Sequence, residues 1–397
     1  MGERLPHSEQ GQEPGSREIP DSKGRAGGPG VDEVSVKLAR VRTWLDSKGY
    51  EAALFTTQPG VAWVTAGLQD RVNRNEDPAL VWAAIDHAAA HLITSNVEEP
   101  RLLAEEQIAQ LPFQVHTIPW YSPGGLPAAA AELVRGARVA TDGYGPGSAC
   151  PGQLAALRIP LTEEEGDRLA VLGRDCADAL QSQLRTWQPY ERECDLAARI
   201  AAALEERQIL PAVLLVAGSE RRIRFRHPVP TRAVTGPTAL AVIVGVRHGL
   251  NVACSRSVAA GSVPADLDQR HMAACAVEAA MIAATRPGQT WGSALETGKR
   301  AYRDAGYPDE WQLHWQGGPI GYLSREFDVV AGSETAASTV KAGTAYAWNP
   351  TVKGGKSEDT FIATAGGPHI VSRANDWPEL AFETSTGPIL RPAVLCV

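Results

Sequence analysis

The chain has no apolar run approaching the roughly 18 residues that a membrane-spanning helix needs. Its first residues lack the apolar centre of a secretory signal. It has no paired CxxC motif. Its six cysteines, Cys150, Cys176, Cys194, Cys254, Cys275 and Cys396, are scattered and read as reduced, mostly packing residues. It also lacks basic blocks: the net charge is −8, and arginine far outnumbers lysine. A chain of that balance is poorly suited to sequence-independent nucleic-acid binding. These absences predict a soluble cytoplasmic protein, with neither nucleic acid nor membrane as a partner. Residues 1–30 are nearly without apolar side chains and cannot offset the entropy of ordering, so a disordered tail is expected there.

At 397 residues there is room for two hydrophobic cores. Val36, Leu38, Val41, Trp44 and Leu45 predict a helix that stops at Gly49. Extended patterns follow over 52–55, 79–85 and 113–118, with helical ones over 100–110 and 126–134, whereas 61–64 is apolar but too short to assign by period. This alternation predicts a small α/β domain over 31–155. A second domain spans 160–397. Thr162 and Glu165 form a capping box at the head of a long amphipathic helix. Helix, proline break, helix and then strands occur twice, with breaks at Pro189 and Pro287, which predicts two related α/β halves.

Residues 312–328 concentrate candidate chemistry. Gly317, Gly318 and Gly321 permit close backbone approach, and His314, Trp315, Tyr322, Arg325 and Glu326 surround them. Elsewhere His227 is a candidate general acid/base, since a neutral imidazole both takes and gives a proton near pH 7. Alone, it also fits a hydrogen-bonded loop histidine. Arg222, Arg224 and Arg226 alternate just before it and, on a strand, would share a face suited to a carboxylate or phosphate. Glu358 and Asp359 would point to opposite faces of a strand. Trp315, Tyr322 and Trp348 suit either a pocket wall or core.

Six segments in order resemble the pita-bread superfamily of creatinase, Xaa-Pro aminopeptidase, prolidase and methionine aminopeptidase. They are Arg226-His227-Pro228-Val229-Pro230, Gly249 to Arg256, His314 with the glycine run, Arg325-Glu326, Asn349-Pro350, and Ser357-Glu358-Asp359-Thr360. The resemblance implies a pita-bread C-terminal domain of two pseudo-symmetric α/β halves. It also implies a smaller creatinase-like N-terminal domain and a homodimer. Family peptidases hold two metal ions with two Asp, one His and two Glu. At the matching positions this chain has Val242, Ala253, Gly318 and Asn349, and only Glu358 remains. One carboxylate cannot repay dehydration of a divalent ion, so neither a dinuclear metal site nor another cofactor is expected. By resemblance to metal-free creatinase, His227 would transfer protons, with Glu358 and Glu326 orienting the substrate. His314, Arg325, Asn349, Arg224, Arg226, Tyr322 and Trp348 would line the substrate site. The expected activity is metal-independent cleavage, by hydrolysis or elimination, of a C–N bond in a small amino-acid-like or amide compound. The competing expectation is an inactive pseudo-peptidase that binds a peptide or partner in the retained cleft.

Overall fold

Asp32 and Glu33 open, and Lys48 closes, the helix Val31–Lys48 (α1), each placed to complement the helix dipole. A computed structural model describes residues 31–397 except positions 75 and 375, so the expected tail over 1–30 lies outside the described residues. The buried stripe of α1 is Val34, Leu38, Val41, Trp44 and Leu45; Val36, one step off the helical period, is 47% exposed. The fully buried strand Ala52–Thr57 (β1) runs straight into Gln58–Val64 (α2). The Thr57 hydroxyl accepts the Gly60 N–H at 3.2 Å, and Pro59 sits in the first turn. That cap, rather than any periodicity, makes the unassigned apolar run a helix.

The domain continues through Pro78–Asp86 (β2), Ala90–Ser95 (β3), Glu99–Ala104 (α3), Gln114–Ile118 (β4), Gly125–Leu133 (α4), Val139–Thr141 (β5), Ser148–Ala149 (β6) and Pro151–Ala155 (α5). Its six strands pair in the order β4-β3-β2-β1-β5-β6.

Glu163–Arg185 (α6) starts with the expected capping box: the Thr162 hydroxyl accepts the Glu165 N–H, and the Glu165 carboxylate accepts the Thr162 N–H at 2.7 Å. Then come Glu193–Glu205 (α7), Leu210–Gly218 (β7), Arg221–Arg224 (α8), Thr238–Arg247 (β8), Leu250–Ala259 (β9), Ala265–Ala284 (α9) and Trp291–Asp304 (α10). The remainder comprises Gly317–Pro319 (β10), Glu334–Ala337 (α11), Thr344–Trp348 (β11), Thr351–Val352 (β12), Gly355–Lys356 (β13), Asp359–Thr364 (β14), Gly367–Ile370 (β15), Glu379–Phe382 (β16), Ile389–Pro392 (β17) and Leu395–Cys396 (β18). One sheet carries the order β10-β11-β14-β9-β8-β7, with β15 added on β14 and β18 on β9. The expected strand through Arg222, Arg224 and Arg226 is instead the short helix α8 and the turn after it, so those arginines share no strand face.

The two domains meet through buried charge. Lys37 of α1 lies 2.6 Å from both Glu33 and Glu165, Arg168 of α6 pairs with Glu33 at 2.7 Å, and Tyr322 donates to Glu165 at 2.6 Å. Burial pushes the Glu33 carboxyl up, but the Arg168 hydrogen bonds and the Lys37 charge prevail and hold it at about 2. The turn between β8 and β9 enters the same seam through His248 and Gly249, both at positive φ. A Cβ on Gly249, at φ +78°, would stand 2.5 Å from Ala62 and 2.8 Å from the Tyr322 ring. Gly249→Ala is therefore expected to lower the unfolding free energy by about 2 kcal/mol or more, read as a fall in the urea midpoint. An unchanged midpoint would contradict this packing.

Candidate functional site

Strand register decides which side chains can meet. Val242 lies opposite Ser255 and Val244 opposite Ala253, so all four share one face of the β8–β9 pair. Asp359 lies opposite both Cys254 and Trp348, which puts those three on the other face and turns Ala253 and Glu358 to the first. Gly318 lies opposite Ala347, and Asn349, two residues on, follows the same side. Positions 242, 253, 318, 349 and 358 thus converge on a single sheet face, with ligand chemistry left only at Glu358.

The residues there do not fit a pair of metal ions. Val242 and Ala253 are buried and apolar. A Cβ on Gly318 would stand 2.6 Å from the Phe327 carbonyl oxygen, so no side chain of any kind fits without moving backbone. The Asn349 amide, oriented by its neighbours, donates to the carbonyls of Trp315 at 2.6 Å and Gln316 at 3.2 Å. A carboxylate at 349 would face those oxygens with no proton to offer. Glu358 is held by Lys356 at 3.0 Å, both side chains buried. Among the described residues no cluster of three or more His, Cys, Asp or Glu could hold a metal.

What the fold does assemble is a histidine pair. His227 and His314 come from segments far apart in the chain, and their Nε2 atoms stand 3.1 Å apart. His227 stacks on Trp315 with ring centroids 5.8 Å apart and planes 16° apart. His314 is buried, and its Nδ1 has no partner among the described residues. Burial lowers the pKa of both, helped by the positive charges of Lys356 and Arg325; Glu358 opposes this at His227. For His314 the result is about 2. Two neutral imidazoles at this distance share one Nε2 proton, and His227, the more exposed member, faces whatever enters.

The other expected site residues divide. Arg226 reaches Thr351 at 2.9 Å and Glu310 at 2.6 Å, and its charge acts on His314. Arg325 pairs with Asp328 at 2.8 Å and acts on both histidines. The Glu326 carboxylate, expected to orient a substrate, is buried against Arg158 at 2.8 Å and accepts the Tyr322 and Leu323 N–H groups. Tyr322 is drawn into the domain junction by Glu165, and Trp348 donates to Thr285 at 2.8 Å inside the core; neither walls a pocket. Asn349 is spent on its own loop. Arg224 lies over Phe225 at 5.3 Å and, outside a strand, is not aligned with Arg226. Cys254 is fully buried and its thiol is pushed up, as for a packing cysteine.

Sequence reasoning placed Lys356 near Glu358 without assigning it to the site. Its i+2 spacing from Glu358 was the available signal. It named Trp315 as a candidate pocket wall but did not find the other exposed apolar rim residues, Ile223, Phe225, Val229 and Leu313; all five are between 43% and 65% exposed.

Two α/β domains joined this way, with one sheet face gathering the converging positions, make up the pita-bread fold. An Xaa-Pro dipeptidase from Bacillus anthracis superposes with a TM-score of 0.72 at 15% identity, covering 92% of this chain and 100% of that one. The dipeptidase PepE from Mycobacterium ulcerans gives 0.72 at 18% identity over 94% of this chain and 100% of its own. The N-terminal domain of FACT complex subunit SPT16 from chickpea gives 0.65 at 12% identity over 87% and 97%. No family model and no curated protein matches the sequence. The chain therefore has the scaffold of prolidases and Xaa-Pro dipeptidases, and the likeness carries the fold alone. Among the described residues, no helix is long and apolar enough to cross a membrane.

Proposed function

We propose that this chain is a metal-independent acid–base enzyme that cleaves a C–N bond in a small amino-acid-like or amide substrate, acting in the cytoplasm as a homodimer. The observation that carries the reading is the His227–His314 pair, two imidazoles held neutral on the sheet face where peptidases of this fold place metal ligands. His227 takes a proton from the attacking water and returns it to the departing nitrogen, while His314 passes or holds the shared Nε2 proton. The Lys356–Glu358 pair, with Arg226 and Arg325 behind it, offers both signs of charge to a zwitterion. Glu358 and Lys356 orient; His227 reacts.

Two measurements test this together. Divalent metal in protein purified without chelator should be well below one ion per chain; two ions per chain would sink the reading. His227→Ala should abolish turnover of a cleaved amide while leaving its binding within about threefold. Because the His227 pKa lies below 6.5, the neutral base persists into mildly acidic solution. The acid limb of kcat/KM is therefore expected to bend below pH 6.5, whereas a bend above 6.5 would assign the limb to another group.

The exposed apolar rim favours a second reading, a peptide- or partner-binding protein without catalysis. One protein of the same fold is named as a subunit of a complex. On this reading His227→Ala weakens partner binding and there is no turnover to lose.

A further inference from the structure

A cavity of about 630 Å³ lies in the seam between the domains, apart from the His227–His314 pair. One wall is the 58–74 segment with Glu105 and Glu106; the other is the end of α7 and the β8–β9 turn. Arg74 and Glu205 close an ion pair across it, one residue from each domain. Among the described residues, not every charge that lines it is matched in this way. Arg71 lines the cavity half-buried and, among the described residues, makes no hydrogen bond or ion pair. Burial lowers its pKa against the opposing charges of Asp70 and Asp77, which is the cost of holding a guanidinium partly out of water without a direct contact. The exposed carboxylate of Glu105 lines the cavity and, among the described residues, makes no hydrogen bond or ion pair. Beside them Asp70 is 2% exposed, and the N–H groups it accepts, Leu80 at 2.9 Å and Val81 at 3.3 Å, both go to Oδ2.

A guanidinium without a direct contact, next to carboxylates able to take an ammonium, suits a ligand that carries both charges. We propose that this seam is a second ligand site, for an amino acid or short peptide zwitterion, with the ligand carboxylate forked on Arg71 and its ammonium between Asp70 and Glu105. The volume suits a molecule of that size. A ligand there touches both domains and stabilises their closed arrangement. The burial that raises the Asp70 carboxyl to about 6 is relieved by an ammonium beside it.

The test uses glycylglycine as probe, with acetate and methylamine as single-charge controls, on the full chain in thermal-shift and calorimetric titrations. Glycylglycine at millimolar concentration should raise Tm by about 1–2 °C, and the controls, singly or together, should not. Arg71→Ala should weaken binding at least about tenfold, as expected for loss of a bidentate charge-assisted contact. Glu105→Gln, an exposed substitution that leaves folding intact, should weaken it less, and His227→Ala should leave it unchanged. No shift with glycylglycine overturns the proposal, as does an equal shift with acetate. Binding that survives Arg71→Ala but disappears in His227→Ala also overturns it, because the ligand then belongs to the histidine site.

Discussion

Replacing Arg391 by alanine is expected to cost about 3–5 kcal/mol of stability, among the largest effects of any single truncation in this chain. Arg391 is wholly buried between two carboxylates: Glu278 of α9 lies 3.0 Å from its Nε, and Asp359 at the start of β14 accepts from its Nη2. Arg256 joins Asp359 at 3.0 Å, and Glu278 accepts from the Ser357 hydroxyl and, at 2.8 Å, from the Asp359 N–H. Burial pushes the Glu278 carboxyl up against the pull of Arg391, so removing the guanidinium leaves that acid protonated and Asp359 half-compensated. Arg373, half-exposed in its pair with Glu379, is the internal control, where truncation should cost less than about 1 kcal/mol. Urea unfolding of the two variants decides the matter; equal midpoints would show the buried network to be worth no more than the surface pair. The network also backs the site. Ser357 and Asp359 flank Glu358, so an ordered Glu358 depends on them.

The second large effect is a failure of restoration. Placing aspartate at 242 and 253, histidine at 318 and glutamate at 349 writes the peptidase ligand set back into the chain, and it is expected to bind no pair of divalent ions. The obstacle is backbone. Gly318→His alone forces the Phe327 carbonyl away from a Cβ that would stand 2.6 Å off, at a cost of about 3 kcal/mol or more. Asn349→Glu exchanges two donated hydrogen bonds for two facing oxygens. Calorimetric titration with Mn²⁺, together with the urea midpoint of Gly318→Val, provides the check. A variant of wild-type stability that takes up two ions would show that only ligand identity was lost.

Gly318 marks a limit of what a sequence carries. Its spacing from His314 marks the position of a missing ligand, but a glycine in a sequence does not say whether a side chain was merely omitted or is sterically forbidden. Glu326 and Tyr322 are similar. Their types suit a site, yet Arg158 and Glu165, each distant in the chain, draw them into structural pairs.

Many of the elements and their order were legible in the sequence, although the helix Gln58–Val64 and the helix Arg221–Arg224 were not. Caps such as Thr162 with Glu165, periodic apolar faces and proline breaks act over a few residues, so they are legible in a few residues. The expectation that the metal-binding residue types are missing came from the resemblance, which compares residue types at matching positions. The tertiary structure alone decided which of the remaining polar groups face one another. The 3.1 Å contact of His227 with His314 and the placing of Arg71 across the domain seam from the β8–β9 turn depend on strand register and domain packing between segments that share no local signal. A side chain's partner is set by long-range burial, and burial is a property of the whole fold.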